Sequence, residues 1–204
     1  MTVYFSVIII LMVTDNFQIQ ENLMWEIRLH GRGGQGAVTS AELLAKAAIA
    51  RGKFAQAFPS FGPERRGAPV QAFVRVDDKR ILKREKIYEP DIVLVLDPTL
   101  LDVVNVAEGL KQEGIVVVNS SKTNQELKDQ YDWPSVASVN ATRIAVDILS
   151  VPITNTTMIG ALLKASGILE AQDMEEVILE RFGPKLGPKN FMALSKAFEV
   201  TNIN

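Results

Sequence analysis

Two short stretches hold the residue types best suited to chemistry. Gly31, Gly33 and Gly36 have the spacing G-x-G-x-x-G, with the strand-like WEIRLH before them and a run of helical periodicity after them. Glycines at such a turn let the backbone approach a ligand closely, and free N–H groups with the helix dipole favour an anion there. The candidate contacts are Gly33, Gly34, Gln35 and Gly36. The second stretch is FGPERRGAP, where Gly62-Pro63 and Gly67-Ala68-Pro69 bracket Arg65 and Arg66. Glycine and proline on both sides fix the path of the loop, so the two guanidiniums are presented as forked donors suited to phosphate or carboxylate. The alternative is that they hold Glu64, Asp77 or a carboxylate of a neighbouring chain.

A glycine turn alone is a weak signal, because it is also good turn chemistry. A dinucleotide site calls for an acid about twenty residues on, at the end of the second strand. Here that region reads RGKFAQAFPS, without Asp or Glu, which disfavours a bound NAD or FAD. The chain has no cysteine and one histidine, which excludes disulfides, thiolate zinc, cysteine-ligated iron–sulfur clusters, a thiol nucleophile and any multi-histidine metal site. His30, at a strand end, reads as a hydrogen-bonded structural residue. Asp97 and Asn119, at carboxyl ends of expected strands, read equally as ligand contacts or as turn and cap residues. Asn155 and Thr156 read as helix caps, and Trp25 and Trp133 as core or interface anchors. No residue is assigned a catalytic role, and no metal site is expected.

The elements that must position these loops follow from periodicity. Trp25–His30 reads as a strand, Ala37–Arg51 as a helix whose small residues lie close on a sheet, and Phe54–Phe58 as a second strand. Val70–Val76 and KRILKREK read as a hairpin about the Asp77–Asp78 turn. Ile92–Leu96 and Ile115–Val118 are continuous apolar runs, the mark of parallel strands buried on both faces. Ser135–Val139 adds a shorter strand. From Ala141 onward the pattern is three or four helices, interrupted near Pro152, Gly167 and Gly183–Pro188. The expected fold is α/β, a three-layer sandwich with a mostly parallel sheet plus an antiparallel hairpin.

With 204 residues and a net charge of −2, residues 24–204 fit one domain, and nothing points to nucleic acid or a membrane as partner. The apolar run Val3–Val13 is too short to cross a bilayer and lacks the basic start of a secretory signal. Residues 1–23 read as an N-terminal extension ahead of Met24, with an extra strand or oligomer contact as the competing reading. A cytoplasmic location is expected.

HGRGGQGAVTSAELLAKAA and FGPERRGAPVQAFVRV, in this order and spacing, resemble the gamma subunit of 2-oxoacid:ferredoxin oxidoreductases. The ERRGAPV form is most similar to the pyruvate and 2-oxoisovalerate branches. DIVLVLDP, VVVNSS and NTTMIGALLKAS extend the resemblance over residues 24–204. It implies a non-catalytic subunit working with alpha, beta and delta subunits, and indirectly with ferredoxin. Thiamine diphosphate and [4Fe–4S] clusters would sit in those partners, consistent with the missing cysteines and the absence of a G-D-G stretch. It further implies that this subunit lies on the coenzyme A side of the reaction, with Arg65 and Arg66 as phosphate contacts. The glycine turn either holds another part of coenzyme A or shapes a subunit interface, and the isolated chain would self-associate through its partner surface.

Overall fold

The computed structural model describes residues 24–60 and 67–203. The elements are β1 (Trp25–Arg32), α1 (Ala37–Ala50), β2 (Phe54–Pro59), β3 (Pro69–Asp77), β4 (Ile92–Val95), a 3-10 turn (Pro98–Asp102), β5 (Ile115–Asn119), α2 (Asn124–Gln130), β6 (Ser135–Val139), α3 (Ala141–Leu149), α4 (Asn155–Ser166), α5 (Glu175–Val200) and β7 (Asn202–Ile203). One seven-stranded sheet runs through them in the order β2-β3-β1-β4-β5-β6-β7. The pairings β1–β4, β4–β5 and β5–β6 are parallel. Only β3 and β7 run against the other strands, so the sheet is mostly parallel.

The apolar runs dictate this arrangement. Alternate residues of one strand enter different cores. Ile92 and Leu94 pack beneath α1, α4 and α5, while Val93 and Val95 pack with Leu100, Val106 and Leu127 on the opposite face. Strands covered on both faces have no polar side to alternate, hence the unbroken Ile/Val/Leu sequence. Ala37, Ala41, Ala45 and Ala48 let α1 lie close on β1, β2 and β3, as the small-residue pattern predicts. The three layers of the expected sandwich are therefore α1, α3, α4 and α5, then the sheet, then the 3-10 turn and α2.

The expected hairpin about Asp77–Asp78 does not form. Residues 80–90 contain no strand, and Leu82 is 78 % exposed. The reason lies outside the local pattern: β3 is already paired on one edge with β2 and on the other with β1, so a strand following it has no edge to join. The antiparallel hairpin of this fold is instead β2–β3, and its connection is the segment that carries Arg65 and Arg66. In the last third, breaks fall at Pro152, Gly167 and Gly183 as expected. Gly183, with φ 69° and ψ 179°, interrupts α5, and Pro184 restarts the helix at a position where no N–H is required. Residues 1–23, with the proposed extension, lie outside the described residues.

Candidate functional site

The chain leaves β1 through α1 to reach β2 and β3 on one side, whereas β4 lies on the other side of β1. The carboxyl ends of β1 and β4 thus form the point where the winding reverses, the usual ligand crevice of an open α/β sheet. Gly33–Gly36 and Asp97 meet there. Strand β1 runs two residues further than expected, because Gly31 and Arg32 stay paired with Val70 and Pro69 of β3.

Asp97 is the hub. The Gln35 side chain accepts from the Arg32 backbone N–H at 2.7 Å and donates to Asp97 Oδ2 at 2.7 Å. Arg32 Nε donates to the same oxygen at 3.2 Å. The other oxygen accepts from the Thr99 N–H and hydroxyl at 2.9 and 2.7 Å, capping the 3-10 turn. Burial pushes the Asp97 carboxyl up, but the donors Gln35 and Thr99 and the Arg32 charge outweigh it, and the group ends below its usual value. It is therefore ionised at neutral pH and holds three segments together.

This hub reaches the basic loop. Arg65 and Arg66 lie outside the described residues, but both ends of their segment are placed. Ser60 N–H donates to Gln71 O at 3.0 Å, continuing the β2–β3 ladder. At the other end Gly67 N–H donates to Gly33 O at 3.2 Å, and Gly33 N–H donates to Ala68 O at 2.9 Å. Arg32 Nη1 donates to Gly67 O at 3.2 Å. The two stretches singled out from sequence are thus joined at one place, with the arginine segment leaving directly from the glycine turn.

Gly36 begins α1 with φ 85°, a left-handed conformation that suits glycine, and a Cβ there would lie 2.8 Å from Asn155 Nδ2. Only glycine lets the start of α1 meet the start of α4 this closely. Neither helix carries a side-chain cap or an acid in its first turn. The capping role expected of Asn155 and Thr156 is therefore not what they do. Thr154 holds the cap position, Asn155 packs on Gly36, and the Thr156 hydroxyl donates to Asn190 Oδ1 at 2.7 Å. The local sequence reads as a cap because the tertiary partners that claim these side chains are distant. Asn155 Oδ1 is buried and has no hydrogen-bond partner among the described residues.

The turn lacks the strand arrangement of a dinucleotide site. In that motif the strand following the helix lies beside β1 and brings an acid to the ribose. Here β3, running the opposite way, occupies that place, and β2 is one strand further out. His30 is buried, and its Nε2 accepts from Arg28 Nε at 3.1 Å. Burial, reinforced by the Arg28 charge, lowers its pKa to about 3, so it is a neutral structural acceptor. Asn119 is structural too: its amide donates to Leu96 O and Thr142 Oγ1 and accepts from Thr142 N–H. Sequence reasoning missed Arg32 altogether and left Asp97 undecided. The only local signal was Asp97-Pro98-Thr99 following an apolar strand, a cap signature that does not reveal its partners 62 and 65 residues away.

A family model described as pyruvate ferredoxin/flavodoxin oxidoreductase matches residues 26–200. The pyruvate/ketoisovalerate oxidoreductases common subunit gamma of Thermococcus litoralis is 54 % identical over 182 residues, 88 % of this chain and 98 % of the relative. Pyruvate synthase subunit PorC of Methanocaldococcus jannaschii is 54 % identical over 175 residues, 86 % of this chain and 96 % of the relative. Among solved structures, pyruvate oxidoreductase subunit PORC of Thermotoga maritima superposes with a TM-score of 0.79 at 37 % identity, covering 89 % of this chain and 98 % of that one.

Proposed function

Because the chain belongs to the pyruvate ferredoxin/flavodoxin oxidoreductase family, we propose that it serves its enzyme by completing the coenzyme A site. It is a gamma-type subunit of a multi-subunit 2-oxoacid:ferredoxin oxidoreductase, part of an enzyme and not a catalyst alone. The reaction of the pyruvate enzyme turns pyruvate, coenzyme A and oxidised ferredoxin into acetyl-coenzyme A, carbon dioxide and reduced ferredoxin. Arg65 and Arg66 bind the phosphates of coenzyme A. Gly33, Gly34, Gln35 and Gly36 form the base that aims them. Alpha, beta and delta chains supply thiamine diphosphate, the [4Fe–4S] clusters and the route to ferredoxin.

The observation that carries this reading is the junction at Gly33, Gly67 and Arg32, which ties the basic segment to the crevice at the carboxyl ends of β1 and β4. The relatives support it from another side. A gamma subunit common to pyruvate and ketoisovalerate oxidoreductases serves enzymes that differ in their 2-oxoacid. Such a subunit suits the step the enzymes share, transfer to coenzyme A, rather than choice of the acid.

One observation favours a narrower share for the glycine turn. The Gln35 amide is already committed to Arg32 and Asp97, and Gly33 to Gly67 and Ala68. The turn is thus a scaffold, and the arginines are the ligand contacts. In the assembled enzyme, Arg65→Ala with Arg66→Ala should raise KM for coenzyme A about 10- to 100-fold, the worth of one or two charge-assisted hydrogen bonds. Decarboxylation that does not need coenzyme A should be unaffected. An unchanged KM would leave the purely structural subunit as the correct reading.

A further inference from the structure

On the face of the sheet opposite α1, the rings of Tyr131 and Trp133 stack in parallel with centroids 4.5 Å apart and 7° between planes. Both are half-buried. They border an open groove of ≈ 350 Å³ that the loop after β4 completes with Asp102, Val103 and Asn105. Val103, an apolar side chain, is 64 % exposed. Part of the aromatic and aliphatic surface here is therefore left to solvent at a spot with concave shape.

The charges around it are unusual for this molecule. Asp91, Asp97, Asp78, Asp147 and Asp173 each meet a cation, and Asp77 and Asp129 each accept a hydrogen bond. Among the described residues the two aspartates with neither partner are Asp102, which lines the groove, and Asp132, which lies between the two aromatic residues in sequence. Burial of Tyr131, with Asp102 close by, holds its phenol above the usual pKa, in keeping with uncompensated negative charge there. Flat π-faces beside the free Asp102 carboxylate match one side-chain chemistry above others: a guanidinium, which stacks on an aromatic face and donates in its own plane to carboxylate.

We infer that the Tyr131–Trp133 groove is a docking site for an arginine-bearing segment of another chain of the oxidoreductase, with the guanidinium against the rings and its donors on Asp102. This rests on the chain being a subunit, but not on the coenzyme A reading, because no residue lining the groove belongs to the glycine turn or the arginine segment. Buried aromatic and arginine residues are the usual energetic centres of interfaces, and an exposed carboxylate makes such a contact sensitive to salt.

The chain has no cysteine, so Val103→Cys places one label at the groove. The purified variant, carrying a benzophenone on that thiol, is mixed with the partner chains, the complex is isolated, irradiated and digested. The expected product joins residue 103 to a partner peptide with an arginine within a few residues of the cross-link. In parallel, Asp102→Asn, at an exposed position, should weaken assembly about tenfold at low salt and flatten its salt dependence. Trp133→Ala should weaken it further. A complex that forms with no cross-link overturns the inference, as does a cross-link to a second gamma chain or to a partner peptide without arginine. It is equally overturned if the Asp102→Asn variant assembles with the parent affinity and salt slope. Failure of the parent chain to assemble at all would instead overturn its reading as a subunit.

Discussion

Two polar networks lie on the same strand and do opposite work. At the carboxyl end of β1, the Asp97 hub sits at the surface, with Arg32 28 % exposed, and ties together loops that have no regular structure of their own. Along the body of β1, Glu26, Arg28 and His30 point away from α1 and are buried, with Arg75 of β3 beside them. There Arg75 Nε donates to Glu26 at 2.8 Å, and Arg28 donates to His30 and to the carbonyls of Val106 and Glu108. The inner network substitutes for a helix on that part of the sheet: residues 80–90 and the loop after β4 cover it, and charged groups fasten them. The outer network fastens nothing the sheet needs. The difference teaches where function is to be sought. Buried charge here belongs to the fold, while partly exposed charge belongs to the loops that meet other molecules.

The comparison is broken most severely by removing Glu26. Arg75 is 1 % exposed and its Nη1 already lacks a partner among the described residues. Glu26→Ala leaves a buried guanidinium uncompensated, at a cost of about 3–5 kcal/mol. Denaturant unfolding of the chain should show a large fall in midpoint, or failure to fold. Replacing both partners together, Glu26→Met with Arg75→Met, should recover much of that loss, because the pair is needed more for charge balance than for net stabilisation. If the single and double variants are equally unstable, the Glu26–Arg75 ion pair is not what the inner network depends on.

His30 sharpens the comparison through pH. Its pKa is lowered to about 3 in the folded chain, against about 6.5 unfolded. The unfolded chain therefore takes up a proton between these values that the folded chain refuses, and stability falls as pH drops below about 6.5, levelling only near 3. By pH 5 the loss amounts to about 2 kcal/mol. His30→Gln, which can still accept from Arg28, should flatten unfolding free energy between pH 6.5 and 5. An unaltered pH slope would show that other groups cause the acid sensitivity.

How much of this was legible in sequence depends on how far each residue's partner lies. Ile92–Leu96 and Ile115–Val118 announced themselves as buried parallel strands because that property is written in consecutive residues. The glycine turn was equally plain, since strand, glycines and helix are contiguous. KRILKREK was misread as a strand because its local content allows one, while the edges of β3 are filled by strands on either side of it in space. Arg75 falls within the expected strand Val70–Val76, where nothing local marks it as buried. Its buried state depends on Glu26, 49 residues earlier, and on Phe58, whose ring lies 5.5 Å from its guanidinium. Asn155 looked like a cap because nothing local reveals Gly36 against it. For the site, the two motifs could be named but not joined, because the link runs through Arg32 and Asp97, neither of which is distinctive by type.

The smallest effect on stability belongs to Asp97, and it is the most telling. Asp97→Asn keeps shape and one acceptor oxygen but removes the charge that Arg32 and Gln35 share. Because the group is partly exposed, the expected loss of stability is only about 1 kcal/mol. Yet Arg32, released from Asp97, no longer fixes the Gly67 carbonyl, and the arginine segment loses one of its three hydrogen bonds to the glycine turn. On the proposed function, KM for coenzyme A in the assembled enzyme should rise several-fold, in the same direction as the Arg65/Arg66 double variant and by less. Combining Asp97→Asn with that double variant should add little further, since a positioning residue has nothing left to position. Additive effects would mean that Asp97 meets the ligand by itself, and the hub would then belong among the contacts instead of behind them.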